Sequence, residues 1–237
     1  MQKLLLGTLF IVFSLSLSAQ TTKDFFLKTD NFLSTYVSDG KVNYKAIHES
    51  PDALNTILSN AAGIKVARSD KNTYMAFWIN VYNLTVIKGI VADYPINSPL
   101  DKPGFFDKTT YPLGGVELSL NQIEDEYLRK PFNDARIHFV LVCGALGCPP
   151  IIEKAYTPEN VEQLLSLQTS KALDNPDFIK EKGKKLVLSE IFKWYREDFG
   201  KTDAEVISFI NKHKKIAVDQ GKKIEYYPYN WKLNKQF

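Results

Sequence analysis

The residues best suited to chemistry lie close to the only two cysteines of the chain. A run of mostly apolar residues begins at Arg136, contains His138 and ends at Cys143, and Cys148 follows after four intervening residues. A cysteine beside a histidine can act as a nucleophile, because the imidazole accepts the thiol proton and the thiolate attacks. Two cysteines at this spacing can also close a small disulfide loop. The sequence leaves both interpretations open.

The apolar run 136–143 is typical of a buried β-strand, which would separate the histidine from the first cysteine. Successive side chains of a strand point to opposite faces, so His138 and Cys143 would lie on different faces. The two side chains would meet only where the strand ends or bulges, which Gly144 permits. A histidine in an apolar strand is also commonly a hydrogen-bonded core residue.

Two asparagines fall within a very apolar stretch that we predict to be a helix over about residues 71–92. Asn80 and Asn83 are three residues apart and therefore share one face of this helix. A buried amide needs hydrogen-bond partners. These amides either hold neighbouring loop backbone in place or orient a substrate and stabilise an oxyanion.

One glutamate falls within the apolar stripe of the next predicted helix, near residues 120–130. Glu124 shares its face with apolar residues, so its carboxylate should be paired, hydrogen-bonded or raised in pKa. It would form a buried ion pair, for example with Arg129 or Arg136, or act as a general acid or base.

Composition and motif content argue against several classes of function. The formal net charge of +3 comes from 30 basic and 27 acidic residues, and the lysine clusters are short, so we expect no nucleic-acid partner. The spacing of His138, Cys143 and Cys148 matches no standard zinc signature, and the sequence has no glycine-rich phosphate loop. We therefore expect no metal or other cofactor, and an unidentified small molecule or peptide as the partner.

Residues 1–19 have the pattern of a removable export signal. Lys3 supplies the positive charge, an apolar region runs from Leu4 to Leu17, and Ala19 provides the small residue before the cleavage site. The apolar run is short for a membrane span, although an uncleaved anchor is the alternative. We expect a periplasmic or secreted mature chain that begins at Gln20, has no stable membrane insertion and occupies a compartment where disulfides persist.

The elements that must position these residues are mostly helices. Helices are predicted near residues 24–37, 44–61, 71–92, 120–130, from Thr157-Pro158 onward, 189–199 and 203–213, and strands at 109–113, 116–118, 136–143, 186–188 and 224–227. This pattern predicts an α+β fold, with helices packed on a small, mostly antiparallel or mixed sheet. Residues 20–237 are expected to form a single domain.

Six motifs occur together in a set order. They are Phe77–Asn83, Glu117–Leu120 with Ile123-Glu124, Arg136–Cys143, Gly147–Pro149, Ile191–Tyr195 with Asp198-Phe199, and Tyr229–Asn234. Over about residues 70–234 they resemble the domain of unknown function 547 family. The chain departs from the usual pattern at Asn230, where Asp is usual, and at Val81, where a small Ala is common. The resemblance implies no established reaction. Its motifs contain the same polar residues that were noted above because they lie within apolar segments expected to be buried.

Two functions are compatible with these residues. The first is an exported enzyme of the hydrolase or acyl-transfer type, with a cysteine nucleophile, a histidine base and a supporting Glu124–Arg136 pair. This hypothesis assigns catalysis to Cys143, His138, Asn80 and Glu124, and binding to Asn83, Arg136 and Cys148. The second is a non-catalytic periplasmic or secreted binding or interaction module, in which Cys143–Cys148 is a structural disulfide within a buried polar network.

Titration of free thiols in the exported, unreduced protein separates the two hypotheses. A thiol that is alkylated much faster than a model cysteine is expected for the enzyme, because a nucleophile needs thiolate character. A fully oxidised pair that resists mild reductant would eliminate the thiol mechanism and leave the binding module.

Overall fold

A computed structural model describes residues 21–176 and 178–236. The predicted export signal and its cleavage site lie outside the described residues. The helices are α1 (residues 21–36), α2 (Tyr44–Glu49), α3 (Asp52–Gly63), α4 (Lys71–Ala92), α5 (Leu120–Gln122), α6 (Lys130–Phe132), α7 (Val161–Asp174), α8 (Ile191–Trp194), α9 (Arg196–Phe199) and α10 (Asp203–His213). A π-helical segment, Ile123–Arg129, joins α5 to α6, and 3₁₀ turns occupy Pro99–Asp101 and Ala135–Phe139.

The strands are short and form small sheets, which confirms the predicted α+β class. They are β1 (Val37–Ser38), β2 (Lys41–Val42), β3 (Tyr111–Leu113), β4 (Val116–Leu118), β5 (Ile179–Lys182), β6 (Lys185–Ser189) and β7 (Lys223–Tyr227). The pairs β1–β2 and β3–β4 are antiparallel hairpins. In the three-stranded sheet β6 lies in the centre, antiparallel to β5 and parallel to β7.

Helix α4 is the centre of the larger hydrophobic cluster. The helix has the predicted bounds, and Asp70 caps its first turn, because its carboxylate accepts a hydrogen bond from the Thr73 backbone N–H at 3.3 Å. The helix is long and apolar enough to span a membrane, but 89% of its most apolar 18-residue stretch is buried inside the fold. It is therefore a core helix, covered by other elements on nearly every face.

A second hydrophobic cluster is built from the three-stranded sheet and helices α8 to α10. It contains Phe139, Phe192 and Phe199, while the larger cluster contains most of α4. Cys148 packs against both clusters. The segment around the cysteines therefore lies where the two clusters meet.

The predicted strand over 136–143 is wrong, because residues 135–139 form a 3₁₀ turn. Asp134 caps this turn by accepting a hydrogen bond from the Arg136 backbone N–H at 3.1 Å. Such local bonds from an aspartate side chain compete with strand pairing. A short apolar run occurs in any fully buried segment, so its composition alone did not distinguish a buried strand from a buried 3₁₀ turn. His138 and Cys143 are therefore not separated by the two faces of a strand.

Other predicted boundaries also need correction. The helix expected over 44–61 is interrupted at Ser50-Pro51, since proline lacks the N–H that would continue α2. Helix α7 begins at Val161 rather than at Pro158, because the Asn160 side chain accepts the Thr157 N–H and holds a turn there. The helix expected over 189–199 is divided into α8 and α9.

The two buried asparagines of α4 bind the backbone of distant loops. The Asn80 amide donates to the Tyr156 carbonyl at 2.6 Å and accepts from the Tyr156 N–H at 3.1 Å. The Asn83 amide donates to the Val140 carbonyl at 2.9 Å and accepts from the Val142 N–H at 2.8 Å. Each side chain thus pairs with the loop as a neighbouring strand would, and Asn83 fixes the segment that leads to Cys143.

We predict that Asn83→Ala lowers the free energy of unfolding by about 3 kcal/mol, because it leaves the Val140 carbonyl and Val142 N–H buried without partners. Urea denaturation measures this loss. Asn55→Ala is the matched control, since the exposed Asn55 side chain accepts a hydrogen bond from the Lys88 ammonium. It should change the free energy of unfolding by less than about 0.5 kcal/mol. Equal losses in both variants would contradict the role of Asn83.

Candidate functional site

A pocket of about 360 Å³ opens where the two hydrophobic clusters meet. Its polar lining includes Glu124 and His138, and its sulfur atoms come from Cys143 and Cys148. Aromatic side chains form much of the remaining wall, namely Phe106, Trp194, Tyr195, Tyr229 and Trp231. A concave, largely apolar site with a few convergent polar groups is the usual form of a small-molecule binding site.

His138 is held by an ionised carboxylate from another part of the chain. Its Nε2 lies 2.6 Å from Oδ2 of Asp198, on α9. The same carboxylate receives the Arg129 Nε at 2.7 Å and Nη2 at 3.2 Å. Burial alone would raise the pKa of Asp198, but the hydrogen bonds and positive charge of His138 and Arg129 outweigh it and hold the pKa well below its usual range. Asp198 is therefore an acceptor, and the His138 Nε2 donates its proton to it.

Glu124 is buried on the other side of the same imidazole. Its Oε1 lies 3.8 Å from the His138 Nδ1, and the Tyr82 hydroxyl donates to Oε2 at 3.4 Å. Burial raises the pKa of Glu124, and the opposing effects of His138, the Tyr195 hydrogen bond and Arg129 offset this only in part. Glu124 thus keeps its proton to a higher pH than an exposed glutamate does. Asp198 loses its proton at a lower pH than an exposed aspartate does.

The π-helical segment and Tyr195 position these groups. Glu124 and Arg129 both belong to Ile123–Arg129, and π-helical turns are uncommon and frequently occur at functional sites. The Tyr195 ring stacks on His138 with centroids 4.1 Å apart, and the Arg129 guanidinium lies 4.5 Å from the centroid of the Tyr195 ring. These contacts restrict the rotation of the imidazole and the tyrosine.

Cys143 and Cys148 are joined as a disulfide, as one of the two interpretations of the sequence expected. The Tyr229 hydroxyl lies 3.0 Å from the sulfur of Cys143 and 2.8 Å from that of Cys148. The ring nitrogens of His138 instead face Asp198 and Glu124. The expected pairing of His138 with a cysteine thiol is therefore not formed.

The structure brings four of the seven predicted site residues to the pocket and leaves three outside its lining. Glu124, His138, Cys143 and Cys148 line it. Asn80, Asn83 and Arg136 do not. The side-chain groups of both asparagines are occupied by loop backbone, so the expectation that they orient a substrate is corrected to a structural role.

The predicted pair between Glu124 and Arg136 is wrong. Arg136 binds Asp134 at 2.6 Å and Glu162 at 2.9 Å. Asp134 caps the 3₁₀ turn that contains Arg136, and its carboxylate therefore lies beside the guanidinium. Arg129 is the arginine near Glu124, and it binds Asp198.

Sequence reasoning missed three residues that complete the site: Asp198, Tyr195 and Tyr229. A signal for them was present, since each belongs to one of the motifs that carry the family resemblance. What was absent was any indication that Asp198 approaches His138, from which it is separated by 60 residues. Within residues 21–176 and 178–236, no group of three or more His, Cys, Asp or Glu side chains is arranged to hold a metal ion.

Comparison with known proteins identifies a family over part of the chain. The model of a family described as "Protein of unknown function, DUF547" matches residues 66–171. This confirms the resemblance for the motifs within that range, which hold Glu124, His138 and both cysteines. Asp198, Tyr195 and Tyr229 lie beyond it. No curated protein and no solved structure matches the chain.

We predict that Asp198→Asn lowers the free energy of unfolding by about 2 kcal/mol at pH 7, because it removes the charge that faces Arg129 and His138. A carboxylate with a lowered folded-state pKa contributes stability that is complete above its ordinary pKa of about 4 and is lost as the pH falls through the folded-state value. The difference from the unaltered protein should therefore shrink in urea titrations below about pH 4. Asp107→Asn, which changes an exposed aspartate, is the control. A difference in the free energy of unfolding between Asp198→Asn and the unaltered protein that stayed constant with pH would contradict the lowered pKa of Asp198.

Proposed function

We propose that this chain, whose residues 66–171 belong to the DUF547 family of proteins of unknown function, is an exported enzyme of the hydrolase or acyl-transfer type. The observation that carries the proposal is the buried Glu124 carboxyl in a pocket wall beside His138, with Asp198 on the far nitrogen of the imidazole. Carboxyl groups of raised pKa beside a held histidine are typical of proton-transfer sites.

The proposed proton transfer follows from the tautomer of His138. Because Nε2 donates to Asp198, Nδ1 of the neutral ring has a free lone pair and faces Glu124 at 3.8 Å. Deprotonated Glu124 accepts a proton from an attacking water or hydroxyl group and returns it to the leaving group. His138 supplies a second acceptor, and the positive charge that forms on it is stabilised by Asp198.

The walls of the pocket suggest the kind of substrate. Trp194 and Trp231 stack with ring centroids 5.7 Å apart, and Trp194 is 45% exposed. Rings of this kind bind flat or apolar parts of a ligand, while Glu124 receives the reacting polar group. We infer a small molecule or a peptide segment with an apolar portion next to the bond that is transferred.

The cysteines enter this mechanism only after reduction. In the disulfide neither sulfur is a free thiol, so the oxidised protein would use water as the nucleophile. A covalent cysteine mechanism predicts activity that depends on reductant and disappears in Cys143→Ser or Cys148→Ser. Hydrolysis by the oxidised protein, unchanged in a variant in which both cysteines are serine, would leave water as the nucleophile.

A binding module without catalysis is the second candidate. It is favoured by the paired cysteines and by the two asparagine amides, whose hydrogen-bonding groups are bound to loop backbone. In that case the pocket binds a ligand that it does not change. Tryptophan fluorescence of Trp194 and Trp231 would report binding, and product analysis would show no turnover.

Export to the periplasm or beyond the cell remains part of the proposal. It rests on the pattern of residues 1–19 and on a disulfide, which persists in oxidising compartments.

We predict that Glu124→Gln reduces the hydrolysis of p-nitrophenyl acetate and butyrate by about 10²-fold or more, since glutamine has nearly the same shape but accepts no proton. In the unaltered protein, kcat/KM should rise with pH through an inflection above the ordinary glutamate pKa, because the base acts when deprotonated and burial raises its pKa. Stopped assays on the mature chain measure both effects, over about pH 3 to 9, a range that brackets the ordinary pKa values of about 4 for Glu and about 6.5 for His.

Glu126→Gln is the matched control, since Glu126 lies on the same π-helical segment with its side chain exposed. It should hydrolyse the esters at the rate of the unaltered protein. Equal activity in the two variants would eliminate Glu124 as the base. Ligand binding without turnover of any ester would favour the binding module instead.

A further inference from the structure

We propose that Cys143–Cys148 is a redox-active disulfide that undergoes thiol–disulfide exchange with a low-molecular-weight thiol entering the pocket. This activity goes beyond the proposed hydrolase and uses a different part of the same pocket. Both cysteines line the cavity and are half-buried rather than sealed in the core. An attacking thiolate must reach a sulfur atom, so a disulfide in the wall of an open pocket meets the first requirement for exchange.

Two hydrogen-bond donors face the sulfur of Cys148. The Tyr229 hydroxyl lies 2.8 Å away and the Cys143 backbone N–H lies 3.0 Å away. A disulfide sulfur carries no proton, so in each contact the oxygen or nitrogen is the donor. Both bonds strengthen when the acceptor becomes a thiolate, because hydrogen bonds to charged groups are shorter and stronger. The site therefore stabilises Cys148 as the leaving group.

Tyr229 is suited to remain a donor. Burial raises the pKa of its hydroxyl well above the usual range, so the group keeps its proton at physiological pH. Its backbone N–H is fixed in turn by the Glu190 carboxylate at 3.0 Å. The hydroxyl also lies 3.0 Å from the Cys143 sulfur and can turn to whichever sulfur carries the negative charge.

The exchange balances in two steps. The incoming thiolate bonds to the Cys143 sulfur, and the Cys143–Cys148 bond breaks with its electron pair remaining on Cys148. A second thiolate then attacks the external sulfur of the mixed disulfide and releases the Cys143 thiolate. The Cys143 and Cys148 thiolates take up the two protons that the external thiols lost. Two thiols are oxidised to one external disulfide, and the protein pair is reduced to a dithiol. The reverse sequence oxidises the protein again.

Backbone contacts also hold the loop between the two cysteines. Leu146 and Gly147 donate backbone hydrogen bonds to Lys232 and Asn230, each at 2.8 Å, and Ala145 bridges to Leu233. These contacts hold the loop between the cysteines whether or not the disulfide is present. A loop this short also removes less chain entropy from the unfolded state than a long disulfide loop would. Reduction should therefore leave the native structure in place, as a reversible redox pair requires.

The experiment measures the rate at which reduced glutathione opens the disulfide in the mature, folded protein, by alkylation of the released thiols and mass spectrometry. We expect the folded protein to react faster with glutathione than the small reference disulfide cystine does under the same conditions. Tyr229→Phe should slow exchange about tenfold, while circular dichroism shows an unchanged fold. Tyr226→Phe is the matched control, because the Tyr226 hydroxyl binds Arg196, and it should react within twofold of the unaltered protein.

Two results would overturn the proposal. One is a disulfide that glutathione reduces only after urea is added, since that behaviour belongs to a structural disulfide. The other is the same exchange rate in the Tyr229 and Tyr226 variants. Ester hydrolysis is measured separately, through Glu124→Gln, so the two proposals can fail independently. Ester hydrolysis without thiol exchange would contradict only the redox proposal. Thiol exchange without ester hydrolysis would contradict only the hydrolase proposal.

Discussion

The charge on Asp198 is the constraint on which the site depends. Its carboxylate comes from α9 in the second hydrophobic cluster, and it binds Arg129 from the π-helical segment and His138 from the 3₁₀ turn. A partly buried carboxylate keeps its charge where positive or N–H donors face it. That charge fixes which nitrogen of His138 carries the proton, and so leaves the other nitrogen open toward Glu124. One interaction thus joins separate parts of the chain and sets the chemistry of the imidazole.

The remaining geometry follows from two rigid supports. Helix α4 holds the segment before Cys143 through the Asn83 amide, and it also supplies Tyr82, whose hydroxyl contacts Glu124. The C-terminal segment 230–234 holds the loop between the cysteines through backbone hydrogen bonds. Because both supports lie outside the reacting groups, the pocket is organised before a ligand enters. Preorganisation of this kind reduces the ordering that binding would otherwise require.

The pocket combines two kinds of reactive group within one apolar enclosure. A carboxyl group of raised pKa lies beside a held histidine, and a disulfide lies against a tyrosine hydroxyl that stays protonated. Aromatic side chains form much of the pocket wall, and apolar surroundings strengthen the electrostatic contacts of the groups buried against them. The same enclosure raises the pKa of the Tyr195 hydroxyl through burial, so that group remains a donor to Glu124.

The sequence alone determined the elements whose signals are local. The Asp70 cap and the apolar length of α4, the hairpin around Gly114-Gly115, and helix α10 were all predictable, because capping residues, turn residues and apolar periodicity act within a few positions. It also identified Glu124, His138 and both cysteines, since polar residues within apolar runs stand out.

Only the tertiary structure decided which groups meet. It turned the expected strand at 136–143 into a 3₁₀ turn, paired Arg136 with Asp134 rather than Glu124, and brought Asp198 to Arg129 across 69 residues of sequence. The physical reason is that an ion pair or a hydrogen bond depends on distances between separate segments. Those distances are set by the packing of the whole core, which no local pattern contains.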